Sequence, residues 1–246
     1  MSTVLKRVFL SAILSGFLVL GYGGHLAMAG LIIDLAPNSS DSVKLSDLLD
    51  GTYDGITVED KVFDEFVYSI IGDMPEAEEV LVLGFEDLEG NFGLTFHGVF
   101  VDQAGDGASD ALLRFSVSVS EQAQLAGWSI TDAHLFLGGV GVGQNSIFTV
   151  DESFEGHNNS MTVFSGNSNG QTEQIASAWT YFDSTVNKLR VTKDILAFTS
   201  DGTILPARAT AIDQSFSQVQ VPEPTTLSLL AMSLTGLLHV SRRRRR

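Results

Sequence analysis

The chain contains no cysteine, which excludes disulfide bonds, thiol catalysis and every zinc or iron–sulfur site that depends on thiolate ligands. Basic residues are also scarce once the two ends of the chain are set aside. Residues 30–220 contain seven Lys and Arg against 29 Asp and Glu, which gives a formal charge of −22. A surface this acidic stays soluble, attracts cations and repels nucleic acids and anionic polymers. We therefore expect no nucleic-acid partner.

Long apolar runs are confined to the two ends of the chain, and the first of them has the layout of a secretory signal. Two basic residues precede the apolar residues 8–20, and Ala27 and Ala29 then form a small-x-small cleavage site. This pattern predicts a signal peptide over residues 1–29, removed by cleavage after Ala29. The alternative is an uncleaved anchor, for which a run of about 13 residues is short because a span needs roughly 20.

The second apolar run lies at the C-terminus, between a proline motif and a cluster of positive charge. Pro222, Glu223 and Pro224 keep the backbone extended before the apolar residues 225–240. Sixteen residues make a helix of roughly 24 Å, shorter than the ~30 Å hydrocarbon core. We expect a single, weak transmembrane helix, either a transient or an ordinary tail anchor. The chain ends in arginines that stay on the cytoplasmic side: Arg242, Arg243, Arg244, Arg245 and Arg246.

The motif, apolar helix and arginine cluster together resemble the PEP-CTERM sorting signal of bacteria that produce extracellular polysaccharide. The resemblance covers residues 221–246, and residues 189–219 are more loosely similar to the region that precedes the signal in such proteins. It implies that the membrane peptidase exosortase recognises the Pro-Glu-Pro motif and removes the tail. The implied partners are exosortase, the secretion machinery and the membrane, and the implied destination is the cell surface or the extracellular matrix.

The exported part, residues 30–220, has the periodicity of an all-β domain. Phe115, Val117 and Val119 alternate with serines, which indicates a half-buried strand. Glycine and asparagine turns separate further short strands, so we predict a β-sandwich ectodomain that is jelly-roll-like. Two segments are ambiguous between helix and strand. Residues 57–71 favour strand, and residues 43–49 are able to form a short helical turn with Ser42 as its cap.

Three carboxylates at four-residue spacing form the candidate metal site. Asp102, Asp106 and Asp110 lie in a glycine-containing segment, where oxygen ligands can converge on calcium. The segment departs from an EF-hand loop, because its third position is Ala104 and its twelfth is Leu113. The alternative is a polar turn between two strands. We expect no cofactor other than this calcium ion.

A second acidic segment and the histidines offer weaker chemistry. Asp151, Glu152 and Glu155 read as an acidic loop whose carboxylates can act as acid and base in glycoside hydrolysis, although acidic loops are common on an acidic protein. His97 and His134 fall inside predicted strands, and with His157 they lack the spacing of metal ligands. These residues do not make a convincing catalytic set.

Aromatic residues supply the remaining candidates for a functional surface: Trp128, Trp179, Tyr181, Tyr53 and Tyr68. They stack on sugar rings if they are exposed on one sheet face, and they belong to the core otherwise. The sequence favours a non-catalytic surface or matrix protein. A row of exposed aromatic side chains would indicate a carbohydrate-binding module instead. A cleft holding a carboxylate pair with a raised pKa would indicate a polysaccharide-acting enzyme.

Overall fold

The computed structural model describes residues 31–105 and 107–221. The predicted signal peptide with Ala27 and Ala29, and Asp106 of the calcium candidate, lie outside the described residues. So does the sorting segment from Pro222 to Arg246. Within the part that is described, no helix is both long and apolar enough to cross a membrane.

Fourteen strands, two short helices and one 3₁₀ turn make up the described chain. The elements are β1 (Ile32–Asp34), β2 (Ser42–Lys44), α1 (Leu45–Leu49), β3 (Gly55–Val58), β4 (Lys61–Ile71), the 3₁₀ turn (Ala77–Glu79), β5 (Leu81–Glu86), β6 (Phe92–Asp102), β7 (Ser109–Val119), α2 (Glu121–Leu125), β8 (Trp128–Gly138), β9 (Ser146–Phe154), β10 (Ser160–Ser168), β11 (Gln171–Ile175), β12 (Ser177–Val186), β13 (Lys188–Phe198) and β14 (Ala207–Gln220).

The strands form two sheets. The eight-stranded sheet has the order β1-β3-β4-β7-β13-β9-β10-β11, and the six-stranded sheet has the order β12-β8-β14-β6-β5-β2. Neighbouring strands are antiparallel except β1 and β3, which run parallel. Alternate residues of both sheets point into one shared apolar core. The all-β sandwich predicted from the sequence is confirmed, while the jelly-roll-like description stays a prediction.

The core contains a cluster of phenylalanines centred on Phe115. Its ring centroid lies 6.1 Å from that of Phe63, 5.8 Å from that of Phe66 and 5.6 Å from that of Phe96. Phe63 and Phe66 come from β4, Phe115 from β7 and Phe96 from the opposite sheet, so the cluster joins the two layers. Contacts of this kind between rings add to the free energy of burying them.

The strand assignment of residues 57–71 is confirmed by β3 and β4, and a bulge interrupts the alternation of inward side chains along β4. The pairing of β4 with β7 shifts register between Asp64 and Val67, and Glu65 adopts a left-handed φ of 57°. An extra residue inserted into a strand moves the next inward side chain by one position. The inward residues Phe63 and Phe66 therefore lie three apart instead of two.

Two local predictions were wrong. Ser42 does not cap a helix, because it belongs to β2 and the helix begins after Lys44, an extended residue without a side-chain capping bond. Pairing of Val43 with Val82 buries an apolar side chain and extends the strand instead. The acidic segment that includes Asp151 and Glu152 is also not a loop, since both residues lie within β9 and Glu152 points into the core.

Candidate functional site

The outer face of the six-stranded sheet carries a row of side chains from neighbouring strands. Trp179 on β12 pairs with His134 on β8, and His134 pairs with Ser215 on β14. Ser215 pairs with Gly93 on β6, which in turn pairs with Phe85 on β5. Residues paired directly across strands project from the same face. Residues from five strands thus lie on one surface.

Two aromatic side chains on this face are unusually exposed. Trp179 is 64% exposed and Tyr181 is 63% exposed. They lie two residues apart on β12, the edge strand, and their ring centroids are 5.1 Å apart with an interplanar angle of 71°. Alternation along a strand places residues i and i+2 on the same face. The edge of the sheet therefore presents two adjacent aromatic surfaces to solvent.

A cleft of about 460 Å³ lies beside Trp179. Its apolar wall includes Phe85 and Phe136, whose ring centroids are 6.0 Å apart, and the fully exposed Leu88 stands at its rim. His134 and Asp213 are among its polar groups. Aromatic walls with a few convergent polar groups are typical of small-ligand sites. We call this region, together with Tyr181, the Trp179 cleft.

His134 is held in the cleft by two carboxylates. Its Nε2 lies 3.0 Å from Asp132 Oδ1, and its Nδ1 lies 3.8 Å from Asp87 Oδ2. The hydrogen bond to Asp132 raises the pKa of His134, against the opposing effect of partial burial. Burial acts to raise the pKa of Asp132, but hydrogen bonds from His134, Ser217 and Thr131 outweigh it and lower that pKa. The hydrogen bond to Asp132 therefore holds the proton of the imidazole more tightly than in a free histidine.

Asp87 shapes the rim of the cleft. Its carboxylate accepts hydrogen bonds from Ser215 Oγ at 2.6 Å, from the backbone N–H of Glu89 at 2.9 Å and from that of Asn91 at 3.0 Å. Partial burial opposes ionisation, but these bonds together lower the pKa of Asp87. Because the Asp87 carboxylate accepts hydrogen bonds from the backbone of Glu89 and Asn91, it fixes the conformation of the turn between β5 and β6. That turn carries Leu88 to the rim.

Asp213 also lines the cleft, and its pKa is shifted in the opposite direction to that of Asp87. Thr95 Oγ1 donates a hydrogen bond to Asp213 Oδ1 at 2.7 Å. Burial nevertheless raises the pKa of Asp213, since the hydrogen bond and the charges of Lys193 and His97 offset only part of the desolvation. The pKa values of Asp87 and Asp213 are thus shifted in opposite directions within one cleft. Such divergence is a feature of acid–base sites.

The structure places two of the three calcium candidates in different surroundings. Asp102 is buried, and its carboxylate accepts hydrogen bonds from Ser109 Oγ at 2.6 Å and from the Thr199 N–H at 2.6 Å. Asp110 instead contacts Asp194. Among the residues described, no group of three or more His, Asp or Glu is arranged to hold a metal ion. Calcium binding by this segment stays a prediction, since Asp106 is outside the described part.

Replacing Asp110 by Asn is expected to raise the melting temperature at pH 7 and to leave it nearly unchanged at pH 4. Burial, with the adjacent Asp194 carboxyl, raises the pKa of Asp110 to about 6. The folded protein holds this proton more tightly than the unfolded chain does. The stabilisation is therefore fully present below the ordinary pKa of about 4 and is lost as the pH rises through 6. Thermal unfolding of Asp110→Asn and the wild type from pH 4 to pH 8 measures this; an equal shift at every pH would contradict it.

The other three aromatic candidates and His157 are structural in their surroundings, whereas His97 is exposed on β6. Trp128, Tyr53 and Tyr68 pack against the core, and the Tyr68 hydroxyl donates to the Pro75 carbonyl oxygen at 2.9 Å. His157 contacts the ring of Phe182, with centroids 4.8 Å apart. Of the five aromatic candidates, only Trp179 and Tyr181 contribute to an exposed surface.

Sequence reasoning missed several residues of the Trp179 cleft. Phe136 shares a strand face with His134, which the alternation of β8 would have shown. Phe85 and Asp213 come from other strands and Asp87 from a turn, and no local pattern connects them with Trp179. Their position depends on which strands are neighbours in the sheet.

Comparisons with known proteins add little to this description. No protein-family model matches the sequence, and no curated protein matches it significantly. A structural match exists to carbohydrate-binding modules of the β-sandwich superfamily that are described as having promiscuous specificity. It has 10% sequence identity and a TM-score of 0.23, and it covers 75% of this chain and 63% of that chain. The chain thus spans less than two thirds of the length of that protein. Similarity at this level transfers no function.

Proposed function

We propose that this protein is an exported, non-catalytic surface or matrix protein that binds an uncharged polysaccharide at the Trp179 cleft. The observation that carries the proposal is the exposure of Trp179 and Tyr181, 64% and 63%, side by side on one edge strand. Large aromatic side chains left in water beside a cleft mark a surface that a ligand covers. Their flat, apolar faces match the apolar faces of sugar rings.

The polar groups of the cleft and the negative charge of residues 30–220 indicate which class of polysaccharide binds. His134 and Asp213 line the cleft and offer a donor and acceptors of the kind that sugar hydroxyls use. The formal charge of −22 over residues 30–220 repels anionic polymers. Neutral glycans are therefore favoured over uronic-acid-rich or sulfated ones.

Trp179→Ala is expected to weaken polysaccharide binding at least tenfold. A central tryptophan anchor contributes about 2 kcal/mol or more to binding, and about 1.4 kcal/mol corresponds to a factor of ten. Affinity electrophoresis against a panel of neutral and anionic polysaccharides measures the effect. Phe198→Ala is the matched control, since Phe198 is a 40% exposed aromatic residue on the other sheet. Equal binding by the Trp179→Ala variant and the wild type would show that the cleft is not the binding site.

Export and sorting rest on the sequence alone. The signal peptide, the Pro-Glu-Pro motif and the arginine tail predict a mature protein that starts at Gly30 and ends near Pro224. Intact mass spectrometry of the protein recovered outside its native cells checks both ends. Replacing Pro222, Glu223 and Pro224 by alanine is expected to leave an unprocessed, membrane-held precursor. A secreted wild-type species that still ends in Arg246 would contradict removal of the tail.

Glycoside hydrolysis is the second candidate function, favoured by the raised pKa of Asp213 in the same cleft as the ionised Asp87. In that case Asp213 would be the general acid. The extensive hydrogen bonding of Asp87 argues for a structural role and hence for binding alone. If the protein releases reducing ends from a bound glycan and Asp213→Asn abolishes this release, glycoside hydrolysis is favoured over binding alone.

A further inference from the structure

Three polar side chains lie fully buried at the centre of the sandwich: Lys193 on β13, Glu152 on β9 and Gln214 on β14. Lys193 and Glu152 are directly paired across neighbouring strands of the eight-stranded sheet. Gln214 projects towards them from the six-stranded sheet. The Trp179 cleft on the outer face does not use these three side chains. Their chemistry therefore needs a separate explanation.

The contacts join an amine, a carboxyl group and a carboxamide. Lys193 Nζ contacts Glu152 Oε2 and also the side-chain carbonyl oxygen of Gln214. The second carboxyl oxygen, Glu152 Oε1, has no hydrogen-bond partner among the described residues. The amine of Lys193 thus lies against the amide group of Gln214, with a carboxyl group beside both.

The surroundings of the three groups are apolar. The inward residues that flank Lys193 on its strand are Val191 and Ile195, and Val150 and Phe154 flank Glu152. In such a medium an ammonium–carboxylate pair is poorly solvated. Burial lowers the pKa of Lys193 and raises that of Glu152, in each case against the attraction between them. Both shifts favour transfer of a proton from Nζ to the carboxylate, which yields a neutral, nucleophilic amine.

We propose that Lys193 and Gln214 join in an intramolecular isopeptide bond, with Glu152 as the catalytic proton relay. The neutral Nζ attacks Cδ of Gln214, and the protonated Glu152 donates a hydrogen bond to the amide oxygen as negative charge develops there. Glu152 then delivers its proton to the departing nitrogen and, as a carboxylate, takes one from Nζ. A C–N bond forms, the C–N bond of the primary amide breaks, and one molecule of ammonia leaves. No oxidant or reductant is required.

The cross-link would connect the two sheets. Lys193 belongs to the eight-stranded sheet and Gln214 to the six-stranded sheet, so the bond ties the layers together through the core. The chain has no cysteine, and a covalent restraint of this kind restricts the unfolded chain as a disulfide does in other exported proteins.

Tryptic digestion of the purified, denatured full chain tests the proposal. Trypsin does not cut after an acylated lysine. The expected product is therefore a branched species that joins the peptide Val191–Arg208, uncut at Lys193, to the peptide containing Gln214. Its mass is the sum of the two peptides less one ammonia, and fragmentation locates the branch. Recovery of a free peptide ending at Lys193, at full yield from the wild type, would overturn the proposal.

Two variants separate the chemistry from the packing. Glu152→Gln keeps the side-chain size but removes the proton relay, and it is expected to abolish the branched product. Glu155→Gln, an exposed carboxylate beyond the end of the same strand, is expected to leave the yield unchanged. Undiminished branching in Glu152→Gln would overturn the role of Glu152. A bond from Lys193 to Glu152, with loss of water, would overturn Gln214 as the acceptor. The wild-type digest decides the central question even if a variant does not fold.

Discussion

Glu152→Ala is expected to lower the free energy of unfolding by about 3–5 kcal/mol, because it leaves the buried amine of Lys193 without its carboxyl partner. Both residues are fully buried, and they contact each other directly across β9 and β13. The amine must then remain in the core with an unmade hydrogen bond or draw water into the core. Either response disturbs the contact between the sheets. The substitution would also prevent formation of the proposed cross-link.

Urea unfolding followed by tryptophan fluorescence measures this loss. Glu155→Ala is the matched control, since Glu155 lies near the same strand and its carboxylate pairs with Arg190 at 3.1 Å on the exposed surface. Exposed ion pairs of this kind contribute about 0–1 kcal/mol. If the free energy of unfolding falls by the same small amount in both variants, the buried pair of Glu152 and Lys193 does not stabilise the fold as its burial implies.

Phe115→Ala is expected to destabilise the fold by about 3–5 kcal/mol, the range for removing a buried phenylalanine. Phe115 is completely buried, and its ring contacts Phe63, Phe66 and Phe96. Because Phe96 belongs to the opposite sheet, the cavity opens where the two layers meet. The neighbouring rings on β4 and β6 are held by strand pairing, which limits how far the site can collapse.

Thermal and urea unfolding of Phe115→Ala beside Phe198→Ala tests this prediction. Phe198 lies at the end of β13 and is 40% exposed, so its removal leaves no comparable cavity and is expected to cost far less. A change of similar size in both variants would mean that the phenylalanine cluster does not dominate the core.

The sequence predicted the class of fold because strand periodicity is a local property. Alternation of apolar residues with serines in the segment around Phe115 gave a strand with one buried face, and β7 confirms it. The same reasoning failed where burial overrides local preference. Glu152 read as part of an exposed loop, yet its strand pairing with Lys193 turns it into the core.

The site shows the limit of local reasoning more clearly. Trp179 and Tyr181 were among five aromatic candidates, and nothing in the sequence separated them from Trp128, which packs against the core. Whether an outward side chain meets solvent depends on which strand lies at the sheet edge. That order is set by pairing between distant segments, such as β12 with β8 and β14 with β8.

The sequence by itself determined the composition of the surface, the absence of thiol chemistry, the predicted export and sorting signals, and the alternation that makes strands. The tertiary structure alone decided that Trp179 shares a face with His134 and that Lys193 meets Gln214 between the sheets. The physical reason is that a strand's own sequence defines two faces. Only the pairing of strands within a sheet and the stacking of the two sheets determine which groups those faces meet.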